Sequence, residues 1–121
     1  MSTMRIVYVE DNLANVALIE RICQQNGDEL VTFSDAEAAL NVINPGFADL
    51  ILMDLNLGTR SIDGLQLTRL LRQKGVEEPI VAITAYDTLG YADQYQAAGC
   101  NEFLRKPVSV NAMLKLISNY R

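Results

Sequence analysis

Short apolar runs recur along the chain, and between them apolar residues return every three or four positions. Leu50-Ile51-Leu52-Met53 leaves no polar face, the pattern of a strand buried on both sides in the middle of a parallel sheet. Ile6 to Val9, Leu30 to Phe33 and Pro79 to Ile83 are runs of the same kind, the last opening on a proline that a strand tolerates at its first residue. Glu102-Phe103-Leu104 is a shorter fifth. The intervening stretches read as helices. Leu13, Val16, Ala17, Ile22 and Cys23 follow a helical period that opens after Asn12 and closes at Asn26-Gly27. Ser34 and Glu37 have capping-box spacing with Ser34 as the cap, and the helix they open ends before Pro45-Gly46. Asp63 and Gln66 repeat that spacing ahead of Leu67, Leu70 and Leu71, closing at Lys74-Gly75. Asp87 to Ala98 is the weakest helix, with Gly90 inside it and Tyr91 and Tyr95 four apart. Ser109 caps the last, where Val110, Met113, Leu114 and Ile117 stand at i, i+3, i+4 and i+7.

Five strands alternating with five helices over short connections imply right-handed crossovers and a parallel sheet covered on both faces. The expected fold is α/β: a doubly wound five-stranded parallel sheet in a three-layer α/β/α sandwich of the flavodoxin-like kind, one domain spanning residues 1–121. With strand order 2-1-3-4-5, the first and third strands are neighbours at the topological switch point.

Composition narrows the chemistry. The 121 residues include no histidine, which excludes Ser-His-Asp and Cys-His catalysis and any histidine-ligated zinc within this chain. A formal charge of −5 argues against a nucleic-acid surface and for protein partners. No apolar run approaches a membrane span, and Met1 to Arg5 leads straight into a strand without a signal peptide, so the expected compartment is the cytoplasm. Cys23 and Cys100 lack metal-ligand spacing and read as core fillers in separate helical contexts.

All strand C-termini lie on one rim of such a sheet, which gathers Glu10, Asp11, Asp54, Thr84 and Lys106. Three carboxylates in one crevice repel unless a cation is present. Oxygen-only ligands suit a hard ion, with Mg²⁺ the best match because it takes few carboxylates, keeps waters and coordinates phosphoryl groups. A hydroxyl at Thr84 and an ammonium at Lys106 complete a cradle for phosphoryl oxygens. No glycine-rich nucleotide loop occurs, so the phosphoryl group is small or delivered by another molecule. Asp54 is the expected acceptor, as an aspartate nucleophile forms an acyl phosphate.

The acid pair Glu10-Asp11, Asp54 after Leu-Ile-Leu-Met, Thr84-Ala85 after the fourth strand and Lys106-Pro107 after the fifth resemble the receiver domain of bacterial response regulators, over essentially the whole chain. The resemblance implies that Asp54 is phosphorylated and that Glu10, Asp11, Asp54 and the Asn56 backbone carbonyl hold Mg²⁺. It implies further that Lys106 binds phosphoryl oxygens, that Thr84 and Phe103 form the switch pair, and that Lys106-Pro107 is a cis peptide. Tyr91 and Tyr95 read either as residues packed on the sheet or, with Phe103 and Arg105, as a partner surface. The sequence departs from the family at Gly58, where a proline is usual, and in a loop to Asp63-Gly64 about two residues longer. Asn56 and Tyr86 occupy positions that in this family influence phosphoryl lifetime.

A chain without histidine needs its donor in trans, a histidine kinase or phosphotransfer protein. Its end at Arg121, just after the last helix, leads to the expectation of a stand-alone regulator read out by a downstream protein target or a phosphorylation-dependent dimer, not an enzyme beyond its own phosphorylation and dephosphorylation. Two other readings remain. One is a receiver-shaped binding module that is not phosphorylated. The other is a Mg²⁺-dependent phosphohydrolase, because Asp54 to Thr59 partly resembles a D-x-D-x-T motif with Asn56 in place of the second aspartate.

Overall fold

The computed structural model describes residues 3–55, 62–85 and 92–121. Every apolar run of the sequence is a strand: β1 (Arg5–Val9), β2 (Glu29–Phe33), β3 (Leu50–Asp54), β4 (Ile80–Thr84) and β5 (Glu102–Arg105). They alternate with α1 (Leu13–Asn26), α2 (Ala36–Val42), α3 (Gly64–Gln73), α4 (Ala92–Ala98) and α5 (Val110–Asn119). Neighbouring strands all pair in parallel, in the order β2-β1-β3-β4-β5. β3 and β4 are buried at every residue, whereas the edge strands β2 and β5 hold only exposed and half-buried residues. A central parallel strand has helices against both faces, so neither of its faces can be polar.

Two cores result. Val7, Val9, Ile51, Met53 and Ala82 face α2, α3 and α4 through Ala39, Leu67, Leu71 and Tyr95. Ile6, Tyr8, Leu50, Leu52 and Ile83 face α1 and α5 through Ile19, Ile22, Met113 and Ile117.

The cap chemistry positions the helices. Asn12 accepts the Asn15 N–H at 3.0 Å, and Gly27 takes the left-handed conformation (φ 76°) that stops α1. Asp63 and Gln66 form the expected capping box. The cap of α2 is Asp35, one residue beyond the expected Ser34: its carboxylate accepts the Ala38 N–H at 2.8 Å and its backbone is extended. An aspartate there also places negative charge against the helix's positive end, and Glu37 consequently falls one position short of the reciprocal bond.

Three expected stripe residues are exposed, Leu13, Ala17 and Val110. Leu13 is 85% exposed and Val110 44%, while Ile19 and Leu116 complete the buried stripes of α1 and α5. Leu13 and Val110 occupy the first turn of a helix that starts at the sheet's rim, where no strand lies beneath, and at Ala17 the buried face of α1 runs through Ile19 instead. Cys23 is buried on α1, but Cys100 lies buried between α4 and β5, outside any helix. Of the expected fourth helix, Ala92–Ala98 lies within the described residues; Asp87, Gly90 and Tyr91 lie outside them, as do Asn56, Gly58 and Tyr86.

Candidate functional site

Parallel pairing of Val9 with Met53 sets the next residues of β1 and β3, Glu10 and Asp54, side by side at the rim. Strand alternation puts Asp54 on the face of Leu52 and Glu10 on that of Tyr8, toward α1 and α5. Asp54 and Glu10 are 1% and 2% exposed, while Asp11 is open to solvent. One oxygen from each of the three carboxylates lies within 4.8 Å of the others.

β5 delivers the cation. The Lys106 N–H donates to the Thr84 carbonyl at 2.7 Å, and the Lys106-Pro107 peptide bond is cis. The Lys106 ammonium stands 3.2 Å from Asp54 Oδ1 and 3.6 Å from Glu10 Oε1. The ammonium therefore meets two of the three carboxylates. Among the described residues the donor set is oxygen alone, which fits a hard divalent cation.

Glu10 is the most constrained of the three. Its Oε1 accepts the Tyr8 hydroxyl at 2.9 Å and the Asn15 side-chain amide at 2.8 Å, and its Oε2 accepts the Asp11 N–H at 3.2 Å. Burial opposes its charge, but hydrogen bonds with Asp54, Asn15 and Tyr8 and the Lys106 charge outweigh that, holding the carboxyl below the usual range. Burial, with the Glu10 charge added, pushes the Tyr8 phenol far up, so it stays a donor.

Thr84 is fully buried at the end of β4. It shares a face with Ala82, which pairs with Phe103, and both Ala82 and Phe103 belong to the core beneath α3 and α4. Phe103 is half-buried and meets Tyr95 edge-on, with centroids 5.6 Å apart and planes at 65°. Tyr95 is only 4% exposed. It packs on the sheet and does not belong to an exposed partner surface, because α4 turns it inward against Phe103 and Cys100. Arg105 is exposed, opposite Thr84 in register. Asn56 and Tyr91 lie outside the described residues.

Three contributors were missed in the sequence. Tyr8 reads there as one more apolar residue of a strand, although its place two residues before Glu10 puts its hydroxyl on the same face. Asn15 lies one helical turn after the cap Asn12, a spacing that carries it back over the rim. Tyr8, Asn15 and Lys106 also border a cavity of about 510 Å³ between α1 and α5, floored by Ile19, Ile83 and Met113. The third is Gly64, whose backbone rests on that of Asp54.

The model of the response regulator receiver domain matches residues 6–118. The chain belongs to this family. The polar-differentiation response regulator DivK of Brucella ovis is 30% identical over 122 residues, an alignment covering 98% of this chain and 96% of DivK. A crystal structure of the receiver domain of a Pseudomonas aeruginosa PAO1 sensor histidine kinase, with a magnesium ion coordinated in its active site cleft, is 28% identical with a TM-score of 0.83, covering 98% of each chain. NtrX of Brucella abortus is 25% identical with a TM-score of 0.87; this chain matches 27% of its length. As a receiver domain, the protein works in two-component phosphorelay signalling, opposite a histidine kinase or phosphotransfer protein. Among the described residues, no helix is long and apolar enough to cross a membrane.

Proposed function

We propose that residues 1–121 form one receiver unit acting in the cytoplasm, in which Asp54 accepts a phosphoryl group from a partner's phosphohistidine. The observation that carries the reading is the Lys106 ammonium 3.2 Å from Asp54 Oδ1, beside a three-carboxylate cluster. An Asp54 oxygen attacks phosphorus, the P–N bond breaks, and the imidazole leaves with the bonding electron pair, giving an acyl phosphate on Asp54. Asp54 is held for this at the end of a fully buried strand, where its carboxylate has few orientations to lose. Lys106, already against Asp54, neutralises oxygens of the incoming group. Glu10, Asp11 and Asp54, with the Asn56 carbonyl, would hold Mg²⁺, which when bound offsets the charge of the phosphoryl oxygens. Hydrolysis of the acyl phosphate by the domain itself ends the signal.

Thr84 and Phe103 are the switch pair in this reading. The Thr84 hydroxyl turns toward the phosphoryl group, and the Phe103 ring moves into the space it leaves. Phe103 has no phenol to anchor an outward state, and its edge-on contact with Tyr95 supplies the packing that responds. The readout is a protein contact around α4, β5 and α5, including Arg105, with a downstream target or a second phosphorylated copy.

The test is intact-protein mass spectrometry after incubation with Mg²⁺ and acetyl phosphate, comparing wild type with Asp54→Ala. A Mg²⁺-dependent, hydroxylamine-labile gain of one phosphoryl in the wild type alone supports the reading. An identical adduct in Asp54→Ala, or no adduct and no beryllofluoride binding, overturns it in favour of a binding module that is not phosphorylated.

A further inference from the structure

Glu10 Oε1 has three suitors: the Tyr8 hydroxyl at 2.9 Å, the Asn15 amide at 2.8 Å and the Lys106 ammonium at 3.6 Å. Two neutral donors occupy it at hydrogen-bonding distance, and the ammonium stands off, nearer to Asp54 Oδ1 at 3.2 Å. Tyr8 is locked by its own burial at 2% exposure, and Asn15 by the first turn of α1, whose cap bonds the Asn15 N–H. The two donors come from different elements, so the carboxylate cannot rotate without breaking one of them.

We propose that Tyr8 and Asn15 are positioning residues that clamp Glu10 through Oε1, presenting the carboxylate to the cation site and leaving Lys106 to Asp54. The inference rests on the phosphoacceptor reading above and adds to it what sets the affinity of the acid pair. Partners that orient a metal-binding group raise affinity by restricting it to its bound geometry, and losing them costs about tenfold or more. Asp11, at the same cluster, is exposed to solvent.

The experiment compares wild type, Tyr8→Phe and Asn15→Ala. Phenylalanine removes only the hydroxyl from a packed position, and alanine suits the α1 turn, so both variants should fold; thermal unfolding checks this. MgCl₂ is titrated while backbone amides at the rim are followed by ¹H–¹⁵N NMR, and the rate of phosphorylation by acetyl phosphate is measured against Mg²⁺ concentration. The expected result is a Mg²⁺ dissociation constant raised by about tenfold in each variant. The phosphorylation rate should return toward wild type at saturating Mg²⁺, because Asp54, Lys106 and Thr84 are intact. A purely structural role would lower the unfolding temperature without moving the Mg²⁺ midpoint.

Unchanged Mg²⁺ affinity in both variants, with wild type binding Mg²⁺ and phosphorylated on Asp54, overturns the clamp and leaves the phosphoacceptor reading standing. So does a rate that stays low at saturating Mg²⁺ with affinity unchanged. A wild type that neither binds Mg²⁺ nor takes a phosphoryl group overturns the underlying reading, and the clamp with it.

Discussion

Gly64, the first residue of α3, rests directly on the backbone of Asp54. A Cβ at this position would lie 2.8 Å from the Leu55 Cα and closer still to the Asp54 carbonyl oxygen. Both obstacles are backbone, so no side-chain rotation relieves the clash. The helix is meanwhile pinned from its own side by the Asp63–Gln66 capping box and by the Thr68 hydroxyl donating to the Gly64 carbonyl at 2.9 Å. Gly64→Ala should therefore displace either α3 or the end of β3. The expected cost is about 1–3 kcal/mol in denaturant unfolding, together with a lower phosphorylation rate at Asp54. A variant as stable and as active as wild type would show that the contact relaxes freely.

Arg72, near the end of α3, ties three segments together. Its guanidinium donates to the Gly99 carbonyl at 2.9 and 3.1 Å, to Val76 and Glu78 carbonyls at 2.8 Å each, and to Asn101 Oδ1 at 2.9 Å. Asn101 Oδ1 in turn accepts the Ile80 N–H at the start of β4. Arg72→Ala strands several carbonyls and should cost about 2 kcal/mol or more. Arg72→Lys, a single point donor without the planar fork, should restore only part of it. Equal stability of all three proteins in urea would refute the role.

Asp28, at the turn into β2, accepts two bonds from the Arg121 guanidinium at 2.7 and 2.9 Å and the Met4 N–H at 3.1 Å. The Arg121 hydrogen bonds hold its carboxyl below the usual range against the opposing effect of burial. A carboxyl lower in the folded than the unfolded state stabilises the fold above its unfolded value of about 3.9 and loses that contribution as pH falls through the folded value. Arg121→Ala should accordingly be less stable than wild type near neutrality, with the two unfolding curves converging in acid. A stability difference that persists at the lowest pH would contradict this linkage.

Burial, then the neighbouring Asp28 charge, raises the Cys23 thiol to about 11, and burial raises that of Cys100. Since the thiolate is the reactive form, neither should react with a disulfide reagent at pH 8 while the protein is folded. Both should react at once in denaturant. Prompt labelling of one thiol in the native protein would place it in a more open environment than the core described here.

The sequence by itself determined the order and type of the elements, because a strand covered on both faces cannot hide its continuous apolar run and a helix cannot hide its period. Leu50 to Met53 could sit only in the sheet's middle, and the acids ending β1 and β3 could then meet only at one rim. What sequence could not carry was contact across elements. Strand order and the Val9–Met53 register put Glu10 beside Asp54, and the α1 crossover laid Asn15 over Glu10. The same reasoning applies to Tyr95, whose helical spacing from Tyr91 was compatible with an exposed patch or with the core; only the direction in which α4 packs turned it onto Phe103. Leu13 and Val110 belong to good helical periods but stand where the sheet has ended. Periodicity specifies which side of an element is apolar. Only the packed structure decides what lies opposite, and at this rim that is where Tyr8, Asn15 and Gly64 act on the carboxylates.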